Sequence, residues 1–262
     1  MNMNRICVQV LSFALVFLAA LTARDALGQT GAETMKCGEE RDVEPGLMSE
    51  STYNRMNEAF EMIGEEEFDA ALDELRSLRQ LRLSEFEKAS VEQALGFIMA
   101  QRENYLAAIE HFAEAVRLNQ LPNKAHFEMI LQIAQLYNAM EEFDKALEQL
   151  DFWFCIATED AKKVAEVWVL KASLHLQQDE YREGLEAVNQ AMEIAEEPKE
   201  SWFRLKLGIL LELEDYRPAV AVAKILVGMD PGRKEYWSQL SGIYQQLDQN
   251  ENAMAALQLA YR

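Results

Sequence analysis

One local pattern recurs six times along this chain, and few folds can satisfy it. An acidic or polar turn precedes an aromatic residue. A small residue follows three places on, a larger apolar residue four later, and another apolar residue three after that. The copies are Glu67-Phe68 with Ala71, Leu75 and Leu78; Asn104-Tyr105 with Ala108, Phe112 and Ala115; and Glu142-Phe143 with Ala146, Leu150 and Trp153. They continue with Glu180-Tyr181, Gly184, Val188 and Ala191; Asp215-Tyr216, Ala219, Ala223 and Leu226; and Gln249-Asn250, Ala253, Leu257 and Ala260. Counted from Phe68, the spacings are 37, 38, 38, 35 and 34 residues. A fixed period in this range marks a stacked-repeat protein, in which each unit buries its apolar face against the next. Apolar residues at three- and four-residue intervals specify helices. With 11 Gly and 5 Pro in 262 residues, helix breakers are few.

A second helix precedes each copy and carries its own small and large positions. Leu95-Gly96 and Met99 stand ahead of Tyr105, and Ile133-Ala134 and Tyr137 ahead of Phe143. Trp168, Ala172 and His175 stand ahead of Tyr181; Trp237, Leu240, Ser241 and Tyr244 stand ahead of Asn250. Small residues let paired helices approach closely, and the large ones fill the adjoining gap. Pro122, Pro198 and Pro231 fall in connections, where a helix has to stop.

The pattern resembles the tetratricopeptide repeat (TPR) family, six units covering 51–262. The resemblance implies an all-α solenoid, a right-handed superhelix of about six antiparallel helix pairs whose first helices line a concave groove. Three spacings exceed the family's usual period, so the early units are expected to carry extended helices or loops. Carried onto this chain, the groove-lining residues are Tyr53, Met56, Phe60, Gln93, Phe97, Gln101, Leu131, Gln135, Asn138, Val169, Ser173, Gln177, Arg204, Gly208, Glu212, Ser238, Gly242 and Gln245. A surface of amides and apolar groups suits an extended peptide, whose backbone needs amide partners. The competing reading is that this lining is merely solvated and an outer face binds. Relatives that clamp acidic chaperone tails use several Lys and Arg in the groove. This chain offers Arg204 alone, which disfavours that role.

The N-terminus carries a targeting signal. Arg5 is followed by a mostly apolar run from Ile6 to Ala23, and Ala26-Leu27-Gly28 offers small residues for a peptidase. This order reads as a secretory signal peptide over 1–28, with cleavage after Ala23 as the other option and an uncleaved membrane anchor as the alternative. Residues 29–50 form a polar lead-in. Removing 1–28 takes away two basic and one acidic residue, shifting the net charge from −20 to −21. Such a charge argues against nucleic-acid and anionic-lipid partners and favours a Lys-rich one by steering. The exported chain would hold Cys37 and Cys155 in an oxidising space. They form either a bridge tying the lead-in to the middle of the domain or two unrelated thiols.

Catalytic constellations are not evident. His111, His126 and His175 are scattered, and each is expected to be structural. The runs Glu65-Glu66-Glu67 and Glu196-Glu197 read as solvated turns. No glycine-rich phosphate loop or serine elbow occurs, and cysteine spacing for zinc is absent. The expectation is a protein that is no enzyme and binds no cofactor or metal.

A narrower resemblance rests on Cys37-Gly38-Glu39-Glu40-Arg41, Pro45, Met48 and Tyr53, with Phe68-Asp69-Ala70-Ala71-Leu72, the segment 139–146 and the segment 236–244. These look like exported TPR proteins associated with TonB/ExbB/ExbD energy-transducing systems of gamma-proteobacteria. The resemblance implies a periplasmic adaptor whose partners are TonB- or ExbD-like periplasmic regions. A scaffold in envelope, pilus or outer-membrane assembly is the alternative. The last unit shows no further polar helix after Ala260, so either a partner or a second copy covers that end or the native chain is longer; weak self-association through it is expected. A monomer by light scattering at high concentration would contradict it.

Overall fold

The computed structural model describes residues 37, 41, 43–44 and 46–261; the expected signal peptide and Pro45 lie outside them. Twelve α-helices follow in order: α1 (Glu50–Gly64), α2 (Phe68–Arg79), α3 (Glu85–Gln101), α4 (Tyr105–Leu118), α5 (Asn123–Ala139) and α6 (Phe143–Ile156), then α7 (Ala165–Gln177), α8 (Tyr181–Ile194), α9 (Glu200–Glu212), α10 (Tyr216–Met229), α11 (Lys234–Gln246) and α12 (Asn250–Ala260). A short 3-10 turn, Ala161–Lys163, precedes α7. No strand occurs among the described residues. Every even-numbered helix begins at the marker residue of a sequence copy, from Phe68 to Asn250. The first two long spacings are taken up by helix length, α3 and α5 having 17 residues each where α7, α9 and α11 have 13; the third, from Phe143 to Tyr181, is taken up by the connection 157–164, which holds the 3-10 turn.

The turns inside the pairs share one construction. After α9, Asp215 N–H donates to Leu210 C=O at 2.9 Å and Glu214 N–H donates to Leu211 C=O at 3.0 Å. The turns after α1, α3, α7 and α11 carry the same two bonds. This is the Schellman end, which satisfies carbonyls the helix leaves open and puts one residue in the left-handed region, normally glycine. Here that residue is acidic: Glu66, Glu103, Glu141, Asp179, Glu214 and Asp248, with φ between 54° and 62°. A side chain costs about 1–2 kcal/mol there. Replacing Glu214 with glycine is therefore expected to stabilise the protein by about 0.5–1 kcal/mol, after allowing for glycine's greater unfolded freedom. A fall in the urea midpoint of Glu214→Gly would contradict this.

The chain divides into two compact units. The first comprises residues up to Met140 together with Asp151–Ile156. Ala71, Leu75, Leu78, Ala108, Phe112 and Ala115 are completely buried in it. Gly96 has a packing reason: a Cβ there would stand 2.5 Å from Phe112 Cδ1. The Leu95-Gly96 pair thus admits the Phe112 ring, and Phe97 packs edge-on against that ring at 5.2 Å between centroids.

The second unit comprises Glu141–Leu150 and the residues from Ala157 onward. Ala146, Gly184, Ala219 and Ala253 are buried at the small position of each copy. Its core joins Leu207, Leu210, Ala219, Ala223 and Leu226 to Tyr236, Leu240, Tyr244 and Ala253. In the last copy the larger apolar position, Leu257, is 41 % exposed, and Ala256 is buried instead. Among the described residues no further helix follows to cover Leu257.

Candidate functional site

In the first unit the residues expected to line a groove differ in exposure. On α1, Tyr53 and Phe60 are 55 % and 48 % exposed. On α3, Phe97 and Gln101 are exposed and Gln93 is half-buried, one turn apart in sequence. On α5, Gln135 is exposed, with Leu131 and Asn138 half-buried. Met56 does not belong with them. It is buried, because α1 turns its Thr52–Met56–Ala59 stripe toward the core and its Tyr53–Phe60 stripe outward.

In the second unit, Gln177, Arg204, Glu212, Ser238, Gly242 and Gln245 are exposed, and Val169, Ser173 and Gly208 half-buried. The Ser173 hydroxyl donates to Val169 C=O at 2.9 Å, so its own helix occupies it. Arg204 and Gly208 line an open hollow of about 360 Å³ with Ser201, Leu205, Leu211 and Gln239. Ser201 and Leu211 were legible as helical neighbours of Arg204, at i−3 and i+7, and Leu205 as one of Gly208, at i−3. Gln239 was not, because it comes from α11. Gln177 borders a different hollow of about 270 Å³, with Gln178, Glu141, Glu142 and Asp144. The structure thus brings Arg204 and Gly208 together but sets Gln177 apart from them.

The lead-in is built into the first unit at four points. Cys37 and Cys155 are joined as a disulfide with their Cα atoms 5.0 Å apart. Cys37 is exposed and Cys155, near the end of α6, half-buried. Arg41 is buried, and its guanidinium donates to Asn119 Oδ1 at 2.7 Å, Asn123 Oδ1 at 2.5 Å and Leu121 C=O at 2.6 Å. Asn123 returns a bond to Arg41 C=O at 3.3 Å. Gly46 sits against Phe86, whose Cβ would be 3.0 Å from a side-chain carbon placed there. Ser49 caps α1, and its N–H donates to Glu87 Oε1 at 2.9 Å. The described lead-in therefore visits the N-terminal ends of α5, α3 and α1 in turn.

Electrostatics at these points are set by burial. Glu87 is a buried carboxylate that closes the capping box of α3. Burial opposes its ionisation, but bonds from the Ser84 and Ser49 N–H groups and from the Ser49 and Thr52 hydroxyls outweigh that, bringing its pKa down to about 2. Among the described residues the Arg41 guanidinium is held by neutral acceptors alone, and burial lowers its pKa. His126, 1 % exposed on α5, has neither ring nitrogen hydrogen-bonded. Burial first, and the Arg41 charge second, push its pKa down to about 3.

The other histidines sit in pairs. His111 Nδ1 lies 2.7 Å from Glu92, which also takes Arg79 at 2.8 Å; His175 Nδ1 lies 2.7 Å from Glu180. Among the described residues, no group of three or more His, Cys, Asp or Glu is placed to hold a metal ion. No described helix is long and apolar enough to cross a membrane.

Comparison with known proteins bears on the fold. The sequence model of the ChAPs family, the Chs5p-Arf1p-binding proteins, matches residues 154–260. No curated protein matches the sequence. Among solved structures, a tetratricopeptide repeat protein from Parabacteroides merdae superposes with a TM-score of 0.61 at 14% identity, over 81% of this chain and 80% of that one. MamA superposes with a TM-score of 0.57 at 14% identity, over 66% and 90%. YrrB, described as a TPR protein with an unusual peptide-binding site, gives 0.54 at 13% identity, over 66% and 84%. The fold is a TPR-like all-α solenoid.

Proposed function

We propose that this chain is an exported, non-enzymatic scaffold that holds an extended polypeptide against the first helices of its pairs. We further propose that it serves in the periplasm, as an adaptor to a TonB-type energy-transducing system. The observation that carries the binding reading is the row of exposed Gln101, Gln135 and aromatic side chains on α1, α3 and α5, with Gln93 and Asn138 half-buried among them. Tyr53, Phe60 and Phe97 are large rings left in solvent beside amides that can pair with a peptide backbone. The unusual peptide-binding site named for YrrB is consistent with this use of the fold. Export is supported by the Cys37–Cys155 bridge, since such bridges persist outside the reducing cytosol. The TonB assignment rests on the resemblance of the lead-in. The charge of −20 would draw a Lys-rich segment. The exposed Met254, Leu257, Leu259 and Tyr261 would serve the weak self-association proposed for the C-terminal end.

The test is a binding titration. The Pro- and Lys-rich periplasmic segment of a TonB-like protein, labelled at one end, is titrated with the full chain and followed by anisotropy. Binding is expected, weakening with salt, and about tenfold weaker for Gln135→Ala/Asn138→Glu, which corresponds to about 1.4 kcal/mol. Equal affinity of the variant and the parent, or no binding of the segment, would overturn the reading.

A further inference from the structure

The acceptors around Arg41 make a built site rather than a surface contact. Asn119, itself held in the left-handed region at φ 52°, offers Oδ1 from the end of α4. Asn123 offers Oδ1 from the first turn of α5, and Leu121 offers its carbonyl from the loop between them. Three acceptors on three residues match the planar fork of a guanidinium, which an ammonium cannot fill in the same way. Buried beside them is His126, with both ring nitrogens unpartnered. Among the described residues the partners of Arg41 are all neutral, and a buried cation so placed is weakly held, because its desolvation is not offset by a carboxylate. Four residues before Arg41 the chain is tied covalently to α6 through Cys37, which is exposed.

We propose that the Asn119–Leu121–Asn123 loop is a guanidinium-binding socket, filled by Arg41 as an internal ligand, which opens to an arginine of another polypeptide when the Cys37–Cys155 bridge is reduced. The reductant is a dithiol. One of its thiolates attacks the exposed Cys37 sulfur, the S–S bond breaks, and Cys155 leaves as a thiolate that takes up a proton. The dithiol's second thiol gives up its proton and displaces Cys37 from the mixed disulfide. Two cysteine thiols and one oxidised dithiol result, so two electrons and two protons pass to the protein. With the tether open, Arg41 exchanges with water, and the socket accepts an arginine of an extended, polar segment. This inference does not depend on which polypeptide the helix faces bind.

The experiment is hydrogen exchange on the full chain, oxidised and after dithiothreitol. The probe is N-acetyl-arginine amide, with N-acetyl-lysine amide as control. Reduction is expected to speed exchange in 43–49 and in 119–123 by about tenfold or more, as a local opening does, while α9 to α12 stay unchanged. The arginine probe, and not the lysine probe, then restores protection in 119–123 of the reduced chain. Unchanged protection of 43–49 after reduction would overturn the proposal, as would equal effects of the two probes. If reduction unfolds the whole first unit, Arg41→Ala with the bridge intact decides. Its socket is expected to regain protection with the arginine probe, and failure to do so would overturn the proposal.

Discussion

Changing Cys155 to serine is expected to cost about 2–5 kcal/mol of stability. The bridge closes a separation of 118 residues. Chain-entropy reasoning assigns about 5 kcal/mol to a loop of that size, and measured removals fall between about 2 and 5. The loss has a structural route beyond entropy. The tether presents Arg41 to its acceptors and the rest of the lead-in to Phe86 and Glu87, so cutting it loosens contacts at the ends of α5, α3 and α1 together. Urea unfolding of the oxidised parent, the reduced parent and Cys155→Ser measures this. The two bridge-less forms are expected to coincide, well below the oxidised parent. A midpoint unchanged by reduction would show that the bridge holds nothing together.

The second large effect is a pH dependence centred on His126. Its pKa is pushed down to about 3 by burial and, to a lesser extent, by the Arg41 charge, against an ordinary value of 6.5. The folded form keeps this ring neutral while the unfolded chain protonates it as the pH falls below 6.5. The unfolded state then binds more protons, so stability drops steadily from about pH 6.5 toward pH 3. At about 1.4 kcal/mol per pH unit, several kcal/mol are lost across that window. Above pH 6.5 the ring contributes no slope. His126→Phe keeps a buried ring with nothing to titrate. Its stability is expected to stay level relative to the parent above pH 6.5 and to gain on it progressively below. Parallel stability curves for the two proteins between pH 6.5 and 4 would contradict the assignment.

These two effects arise where the sequence was least informative, and the reason is physical. Repeats announce themselves locally. Phe68, Tyr105, Phe143, Tyr181, Tyr216 and Asn250 each stand just past a turn, and each begins an even-numbered helix. The small positions at Ala71, Ala108 and Ala146 are buried because neighbouring helices approach there. The faces of α3 and α5 were legible from the same period. Met56 was misplaced because the end helix of a stack has one face against its neighbours and one in solvent. A rotation of roughly a sixth of a turn separates Tyr53 from Met56. The Arg41 socket left no such trace. Its members lie 78 to 82 residues apart, in a segment without periodicity, and no local pattern joins a lead-in arginine to two asparagines beyond α4. The bridge was one of two open readings for the same reason, since two cysteines 118 residues apart carry no spacing signal. Nor did the sequence place the acidic turn residues in the left-handed region, because glycine is the usual occupant and glutamate gives no warning of it.

The exposed first-helix faces are proposed to hold a polypeptide partner. The most direct measurement places a photo-crosslinking residue at Gln135, in the tagged chain expressed in its source cells, and identifies the captured proteins by mass spectrometry. Crosslinks to a TonB- or ExbD-like periplasmic region are expected, and they are expected to disappear when Asn138 is also changed to glutamate. Crosslinks from Gln135 only to pilus, cell-wall or outer-membrane assembly factors, or none at all while a crosslinker at an exposed even-helix position such as Leu106 captures the partner, would contradict the proposal.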